Sequence, residues 1–102
     1  MATTKERLME VMAFMPGVGD VTARAMMGEY VLYYRGKVFG GIFDDRFLVK
    51  AVPAATERMP GASREIPYPG AKEMLLVDNV DDRDFLQELI PAIYDELPET
   101  KR

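Results

Sequence analysis

The 102-residue sequence predicts an α+β domain of two layers, a mainly antiparallel sheet (a three-stranded meander plus one or two further strands) with N- and C-terminal helices packed on one face. Three observations carry that prediction. Residues 30–51 hold three aromatic and β-branched runs separated by two-residue turns. Such spacing admits only antiparallel neighbours, because a parallel crossover takes about a dozen residues or more. The two ends of the chain carry apolar residues at helical spacing. The length fits a single domain, residues 1–102, with one real core.

The elements follow in order. Leu8, Val11, Met12 and Met15 form one face of a first helix, with Thr3 or Thr4 as its cap and Pro16-Gly17 as its end. A second short helix is expected over 20–27, where Asp20 or Thr22 offers the cap oxygen and Gly28 stops it. The strands are expected over 30–35, 37–43 and 46–51, with turns at Arg35-Gly36 and Asp44-Asp45. In the first of them Tyr30, Leu32 and Tyr34 point one way and Val31 and Tyr33 the other. Gly40-Gly41 inside the second marks a bulge or a close backbone approach. Pro53 suits the first position of a short helix to about residue 59. Pro60-Gly61 and Pro67-Tyr68-Pro69-Gly70 are loops, and residues 73–77 form a further strand. Asp78 or Asp81 caps a last helix bearing Phe85, Leu86, Leu89, Ile90, Ile93 and Leu97, which Pro91 should kink or divide.

Composition excludes much chemistry. The sequence has no cysteine, histidine or tryptophan and a single serine, Ser63. Disulfides, thiolate catalysis, cysteine-held metal and every histidine-dependent triad are therefore ruled out. No enzyme activity and no cofactor are expected. No apolar run approaches the roughly 20 residues that span a bilayer, so no membrane partner is expected. Residues 1–10 lack the apolar stretch of a signal peptide, and a cytoplasmic location is the expectation. The formal net charge is −4, concentrated in 78–102, where eight acidic residues face three basic ones. Such a segment repels phosphate backbones and suits protein partners.

Several local patterns invite a function. The run Phe14-Met15-Pro16-Gly17-Val18-Gly19-Asp20-Val21-Thr22-Ala23-Arg24 looks like the hairpin of a helix-hairpin-helix module. There, small residues let backbone amides and a helix N-terminus reach a DNA phosphate, which makes Gly17, Gly19 and Arg24 nucleic-acid-binding candidates. Against it, no Lys or Arg lies between Arg7 and Arg24, where a phosphate binder needs one. Asp44 and Asp45 are adjacent, so they serve a turn better than a carboxylate dyad. Asp78, Asp81, Asp82 and Asp84 lack the spacing of a calcium loop and suit a helix N-terminus, so no metal is expected. Met9, Met12, Met15, Met26, Met27, Met59 and Met74 fill a core or line an adaptable groove. Tyr30, Tyr33, Tyr34 and Tyr68 divide between the core and a solvent-side platform, which without a basic rim suits a peptide better than bases.

The stretch 24–50, RAMMGEYVLYYRGKVFGGIFDDRFLVK, resembles the N-terminal domain of the TfoX/Sxy family, which is associated with regulation of bacterial competence for DNA uptake. Arg24, Met26, Gly28, Tyr30, Leu32, Tyr33, Gly36, Phe39, Asp45, Leu48 and Lys50 stand where that pattern has its marked residues. Met27, Glu29 and Val31 depart from its Phe, Gly and Gly. The resemblance implies an α+β domain with an antiparallel sheet, no catalysis, and a role in transcriptional or competence regulation. It also implies that residues 16–20 connect the first helix to the strand motif and form no true helix-hairpin-helix. Longer members of the family carry a second, C-terminal domain, so the expectation here is the N-terminal module alone. The resulting expectation is an interaction module, monomer or homodimer, with a protein partner of unknown identity. Its candidate partner-binding residues are Arg24, Met26, Gly28, Tyr30, Tyr33 and Lys50. Weak DNA binding through residues 16–24 is the less favoured alternative. The competing structural reading has Arg24 bracing the Gly28 turn and Lys50 protecting an edge strand.

Overall fold

Two-residue hairpins set the architecture. In the computed structural model, which describes residues 4–13, 21–26, 28–77 and 82–97, both central residues of two successive turns have positive φ. They are Arg35 and Gly36 at 50° and 86°, and Asp44 and Asp45 at 54° and 62°. That geometry matches the right-handed twist of the strands it joins, and aspartate tolerates it better than most residues. Gly28, at φ 85°, ends a third tight turn.

These turns link β1 (Val21–Met26), β2 (Glu29–Tyr34), β3 (Lys37–Phe43) and β4 (Arg46–Lys50) into an antiparallel meander. Two shorter strands, β5 (Arg64–Glu65) and β6 (Met74–Leu76), complete a six-stranded sheet of order β1-β2-β3-β4-β6-β5. The helices are α1 (Lys5–Met12), α2 (Pro53–Arg58) and α3 (Arg83–Ile93), the last running into a 3₁₀ turn at Tyr94–Glu96. The class is the α+β, helix-on-sheet arrangement expected.

One face of the sheet carries the core. Leu32, Tyr34, Phe39, Ile42, Phe47, Val49 and Leu75 share a buried cluster with Val11 of α1, Ala55 of α2 and Leu86, Leu89, Ile90 and Ile93 of α3. Fully burying side chains of this size stabilises by about 1.5–3 kcal/mol each. Polar ties fix the layers. The Thr4 N–H donates to Asp45 Oδ1 at 2.9 Å and Arg7 Nε to the Asp45 carbonyl at 3.0 Å, so the β3–β4 turn anchors the start of α1. Lys37 Nζ sits 4.4 Å from the Tyr94 ring centroid, and that ring meets Tyr34 edge-on at 5.6 Å.

Four expectations are corrected. Residues 21–26 form an edge strand instead of a second helix, pairing residue for residue from Val21↔Tyr34 to Met26↔Glu29. That ladder and the burial of Val21 outweigh the helix propensity of Ala23, Arg24, Ala25 and Met26. The meander thus has four strands. Asp82, rather than Asp78 or Asp81, caps α3, its Oδ1 accepting from Phe85 N–H at 3.0 Å. Pro91 does not divide that helix; it stands in the final turn, and α3 runs on to Ile93. The two-residue β5 is the second of the one or two strands expected beyond the meander, at a place the sequence does not mark. α1 ends at Met12, with Ala13 as its C-cap, short of the stop expected at Pro16-Gly17, and Gly17 and Gly19 lie outside the described residues.

The Gly40-Gly41 reading holds in both its forms. The β2–β3 register shifts between Leu32 and Tyr33, leaving Phe39 as the extra residue beside Gly40. A Cβ on Gly40 would collide with the Leu48 carbonyl oxygen, and one on Gly41 would stand 2.6 Å from the Tyr30 carbonyl oxygen.

Candidate functional site

No helix among the described residues covers the sheet's second face. Alternation along the strands sends Arg24, Met26, Val31, Tyr33, Gly41, Phe43, Leu48, Lys50 and Met74 to this side, as the registers Arg24↔Val31, Tyr33↔Val38, Gly41↔Leu48 and Lys50↔Met74 require. Twist curves the sheet, and the segment between β5 and β6 folds over one end of it. Pro67 is buried there, and the Tyr68 ring lies 5.9 Å from that of Phe43. Arg46 Nη1 pairs with Glu65 Oε1 at 2.9 Å, and Ser63 Oγ donates to Glu65 Oε2 at 2.8 Å, which holds β5 beside the turn. Those two hydrogen bonds, Ser63 first, keep the Glu65 carboxyl below its ordinary pKa.

Between sheet and loop lies a concave hollow of about 580 Å³. Its walls are Met26, Val31, Val38, Phe43, Tyr68 and Met74, with Lys50, Lys72 and Glu73 as its charged members. Met26 and Tyr68 are 43% and 51% exposed, high for large apolar side chains and both on this rim. Lys50 is half-buried in the wall. Burial first, and the nearby charge of Lys72 second, lower its pKa from the ordinary 10.5.

The structure distributes the sequence-predicted residues unevenly. Met26 and Lys50 line the hollow. Arg24 and Tyr33 share its face, with the guanidinium carbon 5.9 Å from the Tyr33 ring centroid. Tyr30 turns the other way and packs against the core, and Gly28 serves the β1–β2 turn. Of the Pro-Gly-Val-Gly set only Arg24 is described, and it sits in a strand, so the helix whose N-terminus would hold a phosphate is replaced by β1. Phe43, Val38, Lys72 and Tyr68 were not singled out as a set. Period-two alternation places Val38 and Phe43 only once the Phe39 bulge is known, and nothing in the sequence brings 67–73 over them.

Among the described residues no three Asp or Glu side chains converge as a metal site, and Asp82 and Asp84 serve the start of α3. No helix among them is long and apolar enough to cross a membrane.

The described residues form a two-layer α+β domain with helices on one sheet face and a concave hollow on the other. This chain belongs to the TfoX N-terminal domain family, whose model matches residues 13–94. The family is one of regulatory domains, and membership suggests a competence-regulator-like module. A relative from Spirochaeta aurantia, described as an "Uncharacterized 12.7 kDa protein in trpE 5'region", is 36% identical over 77 residues, covering 74% of this chain and 67% of its own. No solved structure matches.

Proposed function

We propose that this protein is a non-enzymatic, cytoplasmic interaction module that acts in transcriptional or competence regulation by holding a protein partner on its open sheet face. The observation that carries this reading is the strip formed by Arg24, Met26 and Tyr33, polar and apolar by turns, at an edge of the sheet that no helix among the described residues covers. Family membership supports the regulatory class. The absence of histidine and cysteine from the sequence supports a non-enzymatic role. Interface cores favour aromatic side chains, Met and Arg, the residue types gathered here.

The test is capture of partners from host lysate at low salt, with and without nuclease. A protein retained after nuclease treatment, and lost to Arg24→Ala or Tyr33→Ala, is the expected result. Full retention by both variants would refute the assignment of this strip. Recovery of nucleic acid alone, falling steeply as salt rises, would instead support the 16–24 segment as a phosphate site.

A further inference from the structure

The hollow holds a feature that a surface for protein contact does not require. Its walls are mostly apolar, yet two lysines from separate elements, Lys50 at the end of β4 and Lys72 on the β5–β6 segment, line the same space. Among the described residues neither forms an ion pair. Glu73, the carboxylate among the described lining residues, is exposed and pairs with neither. Lys50 is half-buried and Lys72 exposed, and an ammonium group partly drawn out of water beside a second positive charge is disfavoured. Folding has accepted that arrangement in a concavity whose volume of about 580 Å³ falls in the range of small-molecule sites.

We infer that the hollow is a binding site for a small organic anion with an apolar body, its carboxylate set between Lys50 and Lys72 and its hydrocarbon part against Val38, Phe43 and Met74. The apolar part is needed because Val38, Phe43 and Met74 in the wall offer it hydrocarbon contact. The anion is needed because it relieves both ammonium groups at once, and charge-assisted hydrogen bonds are the stronger kind. Tyr68, its ring tilted on that of Phe43, lines the same hollow. The inference stands on the hollow alone and does not depend on the protein-partner reading.

The experiment uses the full chain and three probes: decanoate, decanol and acetate. Calorimetry gives affinity, and amide chemical-shift mapping gives location. Decanoate should bind once per chain, at least about tenfold tighter than decanol, with acetate weaker still. Shifts should centre on Phe43, Lys50 and Met74. Lys72→Met, on an exposed loop position where folding is not at stake, should weaken decanoate about tenfold and leave decanol unchanged. Lys50→Met should do the same. Equal binding of decanoate and decanol would overturn the inference. So would indifference to both variants, shifts confined to the helix-covered face, or uptake only from phosphatidylglycerol vesicles and not from free solution.

Discussion

Gly40 and Gly36 are both turn-type residues by composition, but they serve different ends. Gly36 takes a φ of 86° with nothing near its missing Cβ, whereas Gly40 has ordinary φ and the Leu48 carbonyl against it. Gly36→Ala should therefore cost only the conformational penalty, about 1 kcal/mol. Gly40→Ala forces backbone apart across two strands and should cost about 2–3 kcal/mol. Urea midpoints of the two variants check the order, and a smaller loss at Gly40 would contradict the close approach. Lys50 makes the second case at this scale. Its pKa is lower folded than unfolded, so between those values the unfolded chain binds more protons and stability rises with pH. The rise begins at the folded value and ends near the ordinary 10.5. In Lys50→Met that rise should vanish and stability at neutral pH should increase, measured by thermal melts from pH 7 to 11. The Gly40-Gly41 constraint was legible because a glycine pair inside a strand has few other uses. The state of Lys50 was not, since its first cause is burial by the assembled fold and its second a lysine contributed by a distant loop.

Helices here lean on oxygens from their own start or from a neighbour. α1 and α3 carry side-chain caps, Thr4 and Asp82. α2 begins after Val52, which has none, and the orphan Ala54 N–H donates instead to Glu96 Oε1 at 2.7 Å. Asp82→Ala and Glu96→Ala should each cost about 1 kcal/mol, read from chemical denaturation. The Glu96 loss should add to no change in α3 content by circular dichroism, because the helix it supports is α2. At this scale the sequence was informative where patterns are local: the α1 cap at Thr4, the strand 37–43, Pro53 opening α2 and the apolar stripe of α3. It misled where a partner strand decides. Val-Thr-Ala-Arg-Ala-Met is a passable helix by propensity, and only the ladder to β2 makes it β1. β5 is two residues long and owes its existence to Met74 and Leu75 opposite.

The candidate site is a property of the whole molecule. Its walls come from β1, β2, β3, β4, β6 and the 67–73 segment, so no window of sequence contains it. The fold class was legible because close strand spacing and amphipathic ends are short-range signals. Which face stays open was not, because it depends on where all three helices pack. Net charge acts at this scale too. With a formal −4 and a calculated isoelectric point near 4.8, the protein should show no salt-sensitive retention on duplex DNA at pH 7, a null that a gel-shift series tests directly.

The chain of two-residue turns also shapes the route to the native state. Within the meander β1 to β4 pair in sequence order, so those pairings close short loops, whereas joining β4 to β6 must bring Lys50 to Met74 across the whole of 51–73. Loop closure over that span is an entropic toll that the meander avoids. The β2–β3 hairpin should therefore be formed in the folding transition state and the β4–β6 pairing should follow it. In stopped-flow chevrons, Ile42→Val should mainly slow refolding and Leu75→Ala mainly speed unfolding. The sheet would then assemble from its locally wired half, and the hollow would be among the last features to take shape.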